Sequence, residues 1–477
     1  MSGFADFPGS DVRKKLDHPV IDTDAHVVES QFAIDDYLIE LAGKDTAAKM
    51  VKRRARLMER KQYNMPSKFL WWGVPSGDHT ADHAMSRLPR YFRARMDEMG
   101  IDFAHFYTTA GIPGLYYQDD ELRQVYCRAL NMMYADMFAE ASDRCRPVAV
   151  IPTFTPEEGI AELEFAVGEL GHKAIMIGTE VIRPDDGPDR ETPFRTQSIA
   201  IDPPHDYDPF WAKCQELKVA PTGHTAGIGN TYRNSKTNYV FNHLGGFAAG
   251  AEYFARALFL GGVTNRFPGL SFGFLEGGAG WAMALLNDIV EHFEKRNVDH
   301  LRANLDPDKL DVDLLVRLFD EYGDEIHTGE RVRAQPRGPL QRKAPDNFNE
   351  FEACGMTEVR DLRRLFVEPF YFGCEADDRM TSVAFNRRLS PVGAPLKAMF
   401  GSDIGHWDVM DAVSILSEAW SLVEAKLLDE ENFRDLTFTN PAMLHLTVNP
   451  GYFEGTVLED DAAGLLAEKG AVPAAAE

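Results

Sequence analysis

Asp24 and His26 stand two residues apart in VIDTDAHVVE, a segment that reads as a strand and its exit. On an extended backbone, side chains two apart share a face, so a carboxylate and an imidazole are offered together to one cation. His224 in APTGHTAG adds a second imidazole, and Asp403 in KAMFGSDIGHWD a second carboxylate. Two nitrogens and two oxygens, with a position left for water or substrate, suit Zn²⁺ or Mn²⁺. No cysteine lies in these segments, which excludes a thiolate site. Taken singly, each residue has a plainer role: Asp403 as a helix cap, His224 as a turn residue beside Gly223. Their common placement after short apolar runs makes them a set.

Those runs are the elements that must do the positioning. Eight candidate strands recur along the chain: Val20 to Asp24, Ile101 to Tyr107, Pro147 to Ile151, Ala174 to Ile177, Val219 to Thr222, Leu270 to Leu275, Leu365 to Tyr371 and Leu396 to Phe400. Helical periodicity separates most of them, as in Asp119 to Asp143, Pro156 to Leu170, Tyr207 to Leu217 and Ala279 to Arg296. Alternation of this kind marks a parallel α/β fold, and eight strands close a (β/α)8 barrel of the TIM type. An open doubly wound sheet is the competing topology, but no glycine fingerprint follows the first strand. In a barrel, the carboxyl ends of the strands converge on one face, where Asp24, His26, His224 and Asp403 all fall.

The whole chain, 1–477, reads as one barrel domain with two additions and a tail. Residues 43–99 form a helical insertion after strand one, carrying WWGVPSGDHTADH; residues 298–355 form a charged insertion before strand seven, with GERVRAQPRGPLQRK as a surface loop or arm. Residues 466–477 read as a flexible tail. Asp78-His79 and Asp82-His83 resemble a helical metal pair but lack a third ligand in sequence, while Trp71 and Trp72 belong to a roof over the pocket.

Fifty basic against 75 acidic residues give a net charge of −25, which repels nucleic acid and anionic membranes. The basic run Lys49 to Lys61 reads as a solvated helix face. The first residues, MSGFADFPGSDVRKK, lack the apolar core of a signal peptide, and no run approaches the roughly 18 apolar residues of a membrane span. Five cysteines without a CxxC pair argue against disulfides and a zinc ribbon, so a cytoplasmic location is expected.

The motifs IDTDAHVVE, RMDEMGIDFAHFYTTAG, PTGHTAG, FPGLSFGFLEGGAGW, FGSDIGHWD and FTNPAMLHL, in this order, resemble the amidohydrolase-related family. That family includes aminocarboxymuconate-semialdehyde decarboxylase and related aromatic-acid decarboxylases. The resemblance implies a metal-dependent enzyme with Asp24, His26, His224 and Asp403 as ligands, Asp403 also handling protons. It further implies a small-molecule substrate and a homodimer. Two departures stand out. Many relatives end strand six in a catalytic histidine before Gly-Gly, where this chain has Glu276; and two-metal relatives carry a bridging lysine at the end of strand four, where this chain reads Gly178-Thr179-Glu180. One divalent ion, Zn or Mn, is therefore expected.

Glu276 precedes two glycines, and a carboxylate on this face needs a cation or a proton donor beside it, so it joins Asp403 as a candidate catalytic residue. His406, three residues beyond Asp403, is a third, as a proton shuttle or by orienting substrate; a packing role competes equally. His243 in FNHLGG, read as beginning a helix, is a candidate for binding substrate, with a structural cap as its plainer role. Arg183 could grip a substrate carboxylate with its fork, against the plainer reading of a surface arginine. Two chemistries fit: non-oxidative decarboxylation, which leads, or hydrolysis by activated water. A non-catalytic binding barrel is disfavoured because the ligand set is complete.

Overall fold

Barrel strands here are short apolar runs buried on both faces, as a parallel sheet requires when helices cover one side and packed side chains fill the other. The computed structural model describes residues 7–64, 73–184, 194–225, 235, 237–338 and 348–471. An 8-stranded sheet follows chain order: β1 (Ile21–Val27), β2 (Phe103–Thr108), β3 (Cys145–Val150), β4 (Ala174–Ile177), β5 (Pro221–Gly223), β6 (Phe272–Phe274), β7 (Phe370–Glu375) and β8 (Lys397–Gly401). Neighbours pair in parallel throughout. The seam between β8 and β1 is sewn by Thr23 Oγ1 donating to Phe400 O (2.7 Å), Asp403 N to Asp24 O (2.8 Å) and His26 N to Ile404 O (2.9 Å). The fold is the expected (β/α)8 barrel.

Local chemistry sets the helix starts. Asp119 caps the helix Asp120–Phe138 through Leu122 N, and Thr155 caps Pro156–Leu163, where proline takes the first turn and loses no bond. The foot of the barrel is closed by the helix Asn440–Leu446 and the turns after it, which bring His445 and Tyr452 beneath the strands.

The expected seventh strand, Leu365 to Tyr371, begins later, at Phe370. Residues Arg363–Val367 form a π-helical turn instead, because apolarity alone does not separate a buried helical turn from a strand. A hairpin of Val181–Pro184 and Phe194–Gln197 follows β4 and was not anticipated. Between β1 and β2 lie the helices Gln31–Asn64 (broken at Gly43, φ 80°), Thr80–Met85 and Pro89–Met99; Trp71 and Trp72 lie outside the described residues. The second insertion is more helical than a loop, with exposed helices Val312–Tyr322 and Gly329–Ala334. Helix Glu459–Ala471 carries regular structure into the segment expected as a tail, and residues 472–477 lie outside the described set. All five cysteines are free and buried. Among the described residues, no helix is long and apolar enough to cross a membrane.

Candidate metal centre

The seam between β1 and β8 is also where the centre is built. The ladder of β1 with β2 shifts register between Asp22 and Ala25, an irregularity of the kind that re-aims side chains near sites. Beneath it, the buried carboxylate of Asp22 accepts from Ser402 N (2.9 Å), Ser402 Oγ (2.5 Å) and Asp24 N (3.1 Å), clamping the two strand exits together. Gly401 is needed for this approach, since a Cβ there would meet Asp24 Cβ at 2.9 Å. Asp403 (φ 54°) and Glu276 (φ 58°) both occupy the left-handed region that residues other than glycine rarely adopt.

Asp24, His26 and His224 converge with ligand atoms within 4.8 Å of one another, and His26, Asp403 and His406 form an overlapping set. His26 Nε2 is 3.5 Å from Asp24 Oδ1 and 3.3 Å from Asp403 Oδ1; His224 Nε2 is 3.8 Å from Asp24 Oδ1 and 3.3 Å from Glu276 Oε2. All are buried, yet Asp24 Oδ1, His26 Nε2, His224 Nε2 and Glu276 Oε2 lack hydrogen-bond partners. Buried polar atoms are nearly always paired, so several orphans facing one point describe a ligand shell.

The electrostatics agree. Burial pushes the Asp24 carboxyl up to about 6, and Asp403 and Glu276 well above the carboxylate range, with neighbouring carboxylates adding to the rise for the last two. Burial pulls His26 down to about 3 and His224 to about 4, leaving neutral imidazoles able to ligate. Among the described ion pairs, none brings a lysine or arginine to Asp24, Glu276 or Asp403. A divalent cation supplies the missing charge and reverses the carboxylate shifts. The residues present therefore fit a Zn²⁺ or Mn²⁺ ion.

His406 is tied to this shell: Nδ1 stands 2.6 Å from Asp403 Oδ1, Nε2 is 3.0 Å from Thr109 Oγ1, and its ring lies 3.9 Å from that of His26. His243 ends the helix Tyr239–His243 rather than beginning one, and packs against Tyr239, Phe247 and Trp407. It lines a cavity of about 380 Å³ together with Glu276, Glu375, Asp408 and Trp407. Arg183 is not gathered with the others. Its Nη2 donates to Phe154 O and Tyr207 Oη and the guanidinium lies 4.4 Å over the Phe154 ring, so one arm of its fork is engaged within the fold. A larger cavity, about 920 Å³, opens on the flank between helices Gly246–Leu260 and Gly280–Arg296 and includes no residue of the metal shell. The His79 and Asp82 pair does gain Asp411 as a third neighbour, but Arg95 already holds Asp82 at 2.5 Å.

Other residues were missed in the sequence. Glu29, last of the VVE run, accepts from Thr108 Oγ1 (2.5 Å), Ala110 N (2.8 Å) and Tyr134 Oη, and so ties the exits of β1 and β2 together. Asp408 and Trp407 lay within the quoted HWD, where only spatial folding shows them reaching the cavity. Asp22 was hidden as an ordinary member of a buried strand.

Known proteins share this architecture. The family described as Amidohydrolase matches residues 21–325. The decarboxylase orsB of Emericella nidulans is 32% identical over 154 residues, which cover 30% of this chain. The match spans 42% of that relative's length. Among solved structures, a dihydroxybenzoic acid decarboxylase of Polaromonas sp. JS666, with bound manganese and the inhibitor 2-nitroresorcinol, superposes with a TM-score of 0.51 at 17% identity, over 90% of this chain and 97% of that one. An amidohydrolase of Mycobacterium avium subsp. paratuberculosis K-10 superposes equally well, with a TM-score of 0.51 at 15% identity over 90% and 99%. These structural likenesses establish the shared fold.

Proposed function

The chain belongs to the amidohydrolase family, and from that membership we propose that it is a metal-dependent, non-oxidative decarboxylase of a small aromatic or unsaturated carboxylic acid. The observation that carries the reading is the buried convergence of Asp24, His26, His224 and Asp403, with unpartnered ligand atoms on the first three. Decarboxylation is favoured over hydrolysis by the acidic first ligand Asp24, by the absence of a lysine at Gly178-Thr179-Glu180, and by the names of the decarboxylase relatives.

Asp24, His26, His224 and Asp403 would hold the ion, which when bound supplies the positive charge that fixes the substrate's oxygens and withdraws electron density. The chain's own groups manage the proton. Glu276 and Asp403 both face His26 and His224 at the mouth of the barrel and share the handling of the proton that is delivered to the carbon bearing the carboxylate. A C–H bond forms at that carbon, the bond to the carboxylate breaks, its electron pair returns to the unsaturated system, and CO₂ departs. The donor is then reprotonated from solvent. His406 positions Asp403 through its Nδ1 contact. His243, with Trp407, forms the wall against which an aromatic ring would rest.

A cytoplasmic homodimer is part of the same proposal, and the free buried thiols fit a reducing compartment. The test is a mass-balance assay of Mn²⁺- or Zn²⁺-loaded protein on hydroxylated benzoates and unsaturated acids. A product lighter by CO₂ supports decarboxylation. A product that has gained water overturns it in favour of hydrolysis, with Asp403 and His406 then acting as the base pair.

A further inference from the structure

Asp408 stands within side-chain hydrogen-bond reach of Asp403 at the edge of the shell, and its Oδ1 is a buried atom without a hydrogen-bond partner. It faces two other ligand-bearing side chains. His243, Glu276 and Asp408 place one ligand atom each within 4.8 Å of the others, a second convergence beside the first. Glu276 belongs to both sets: its Oε2 is unpartnered and 3.3 Å from His224 Nε2, and its side chain is 3% exposed. The cavity these residues line also presents Glu375, Asp377 and Asp378 and has no lysine or arginine on its described wall.

From this geometry we infer that a second divalent cation binds between His243, Glu276 and Asp408, with the Glu276 carboxylate bridging it to the first. An imidazole with two carboxylates is a donor set for Mn²⁺ or Zn²⁺, and paired ions in metalloenzymes lie roughly 3.5–4 Å apart, a span one carboxylate bridges. Glu276 thereby takes the bridging place for which Gly178-Thr179-Glu180 offers no lysine, and with both ions bound proton delivery falls to Asp403 with His406. The carboxylates of the cavity wall would repel an anionic substrate on its way to the first ion, and a second divalent charge at this point cancels that field. With only three protein ligands, this ion binds more weakly than the first.

The inference rests on the proposed metal centre, and counting ions separates the two. Purified protein is equilibrated with excess MnCl₂, freed of unbound ion by gel filtration in micromolar Mn²⁺, and analysed for manganese per chain. Two ions per chain are expected, with an exchange-coupled Mn²⁺ resonance at low temperature. Asp408→Asn and His243→Gln should each reduce the count to one and restore the six-line spectrum of an isolated ion. The remaining ion reports that the variant is folded, and either variant suffices if the other does not fold. A wild-type count of one at saturating Mn²⁺ overturns the second site and leaves the first intact, as do two ions retained in both variants. A count of zero overturns both readings.

Discussion

The two ends of the barrel are built from the same residue types and treat them in opposite ways. At the foot, His105 Nε2 is 2.8 Å from Tyr452 Oη, and its ring stacks on His445 at 4.7 Å. His445 in turn stacks on Tyr452 at 4.1 Å, and Arg146 donates to Tyr452 O at 2.6 Å. Of that stack, one ring nitrogen, His445 Nδ1, is left without a partner. At the mouth, His26, His224, Asp24, Asp403 and Glu276 are as buried, yet their polar atoms face one another unpaired. Unpaired buried polar atoms cost roughly 1–3 kcal/mol each, so in the absence of a ligand the mouth, with several, is destabilised more than the foot, with one. β1 spans both ends, with Asp22 O facing His105 below and His26 in the candidate metal shell above. Burial of histidine is thus no signature of function; orphaned nitrogen atoms among carboxylates are.

Removing a ligand from the mouth is the strongest way to break this contrast. His26→Ala or His224→Ala should abolish both metal content and activity, because several kcal/mol of charge stabilisation leave with the ion, which corresponds to roughly 10³-fold or more in rate. Elemental analysis beside the rate measurement decides it: a variant that retains full metal shows the residue is not a ligand. Chelation should do the same to the wild type, reversibly on return of Mn²⁺ or Zn²⁺, and should lower the unfolding temperature, because an ion bound only to the folded state stabilises it.

Glu276 sharpens the contrast by separating charge from shape. Glu276→Gln should leave an ion in the shell and lower turnover by about 10²-fold or more if this carboxyl transfers the proton. Near-normal turnover would reduce Glu276 to packing and pass proton handling to Asp403 with His406. A smaller effect is expected at His406, which acts through Asp403. His406→Gln should cost about 10-fold in turnover or metal affinity, as outer partners of ligands typically do, with KM little changed. A KM increase at constant kcat would show that it touches substrate instead.

The barrel and the convergence of Asp24, His26, His224 and Asp403 were legible because most strands are apolar runs with punctuation and these residues stand at or just past the ends of three of them. Asp24, His26, His224 and Asp403 could be found from strand ends alone, since a barrel has one place where such ends meet. What escaped was long-range or short-lived in sequence. The hairpin of Val181–Pro184 and Phe194–Gln197 has only four residues per strand, too few for a period to show. Asp22 and Glu29 act through partners 380 and 81 residues away, Ser402 and Ala110. Arg183 looked free because spacing carries no record of Phe154 and Tyr207, which hold it.

The foot supplies the smallest predicted effect and the cleanest control. Burial, with Arg146 nearby, pulls the His105 imidazole down to about 3 from an ordinary 6.5, and pulls His445 down as well. Between about 3 and 6.5 the unfolded chain therefore binds a proton at His105 that the folded chain does not. Stability from this group is fully present above pH 6.5 and is lost as pH falls, at up to about 1.4 kcal/mol per pH unit. His105→Gln should remove that one-proton slope from urea unfolding measured between about pH 5 and 7, whatever its cost at neutral pH, while metal content and turnover stay as in the wild type. An unchanged slope would mean that His105 is charged in the folded barrel, and a loss of bound metal would show that the two ends of β1 do not behave independently.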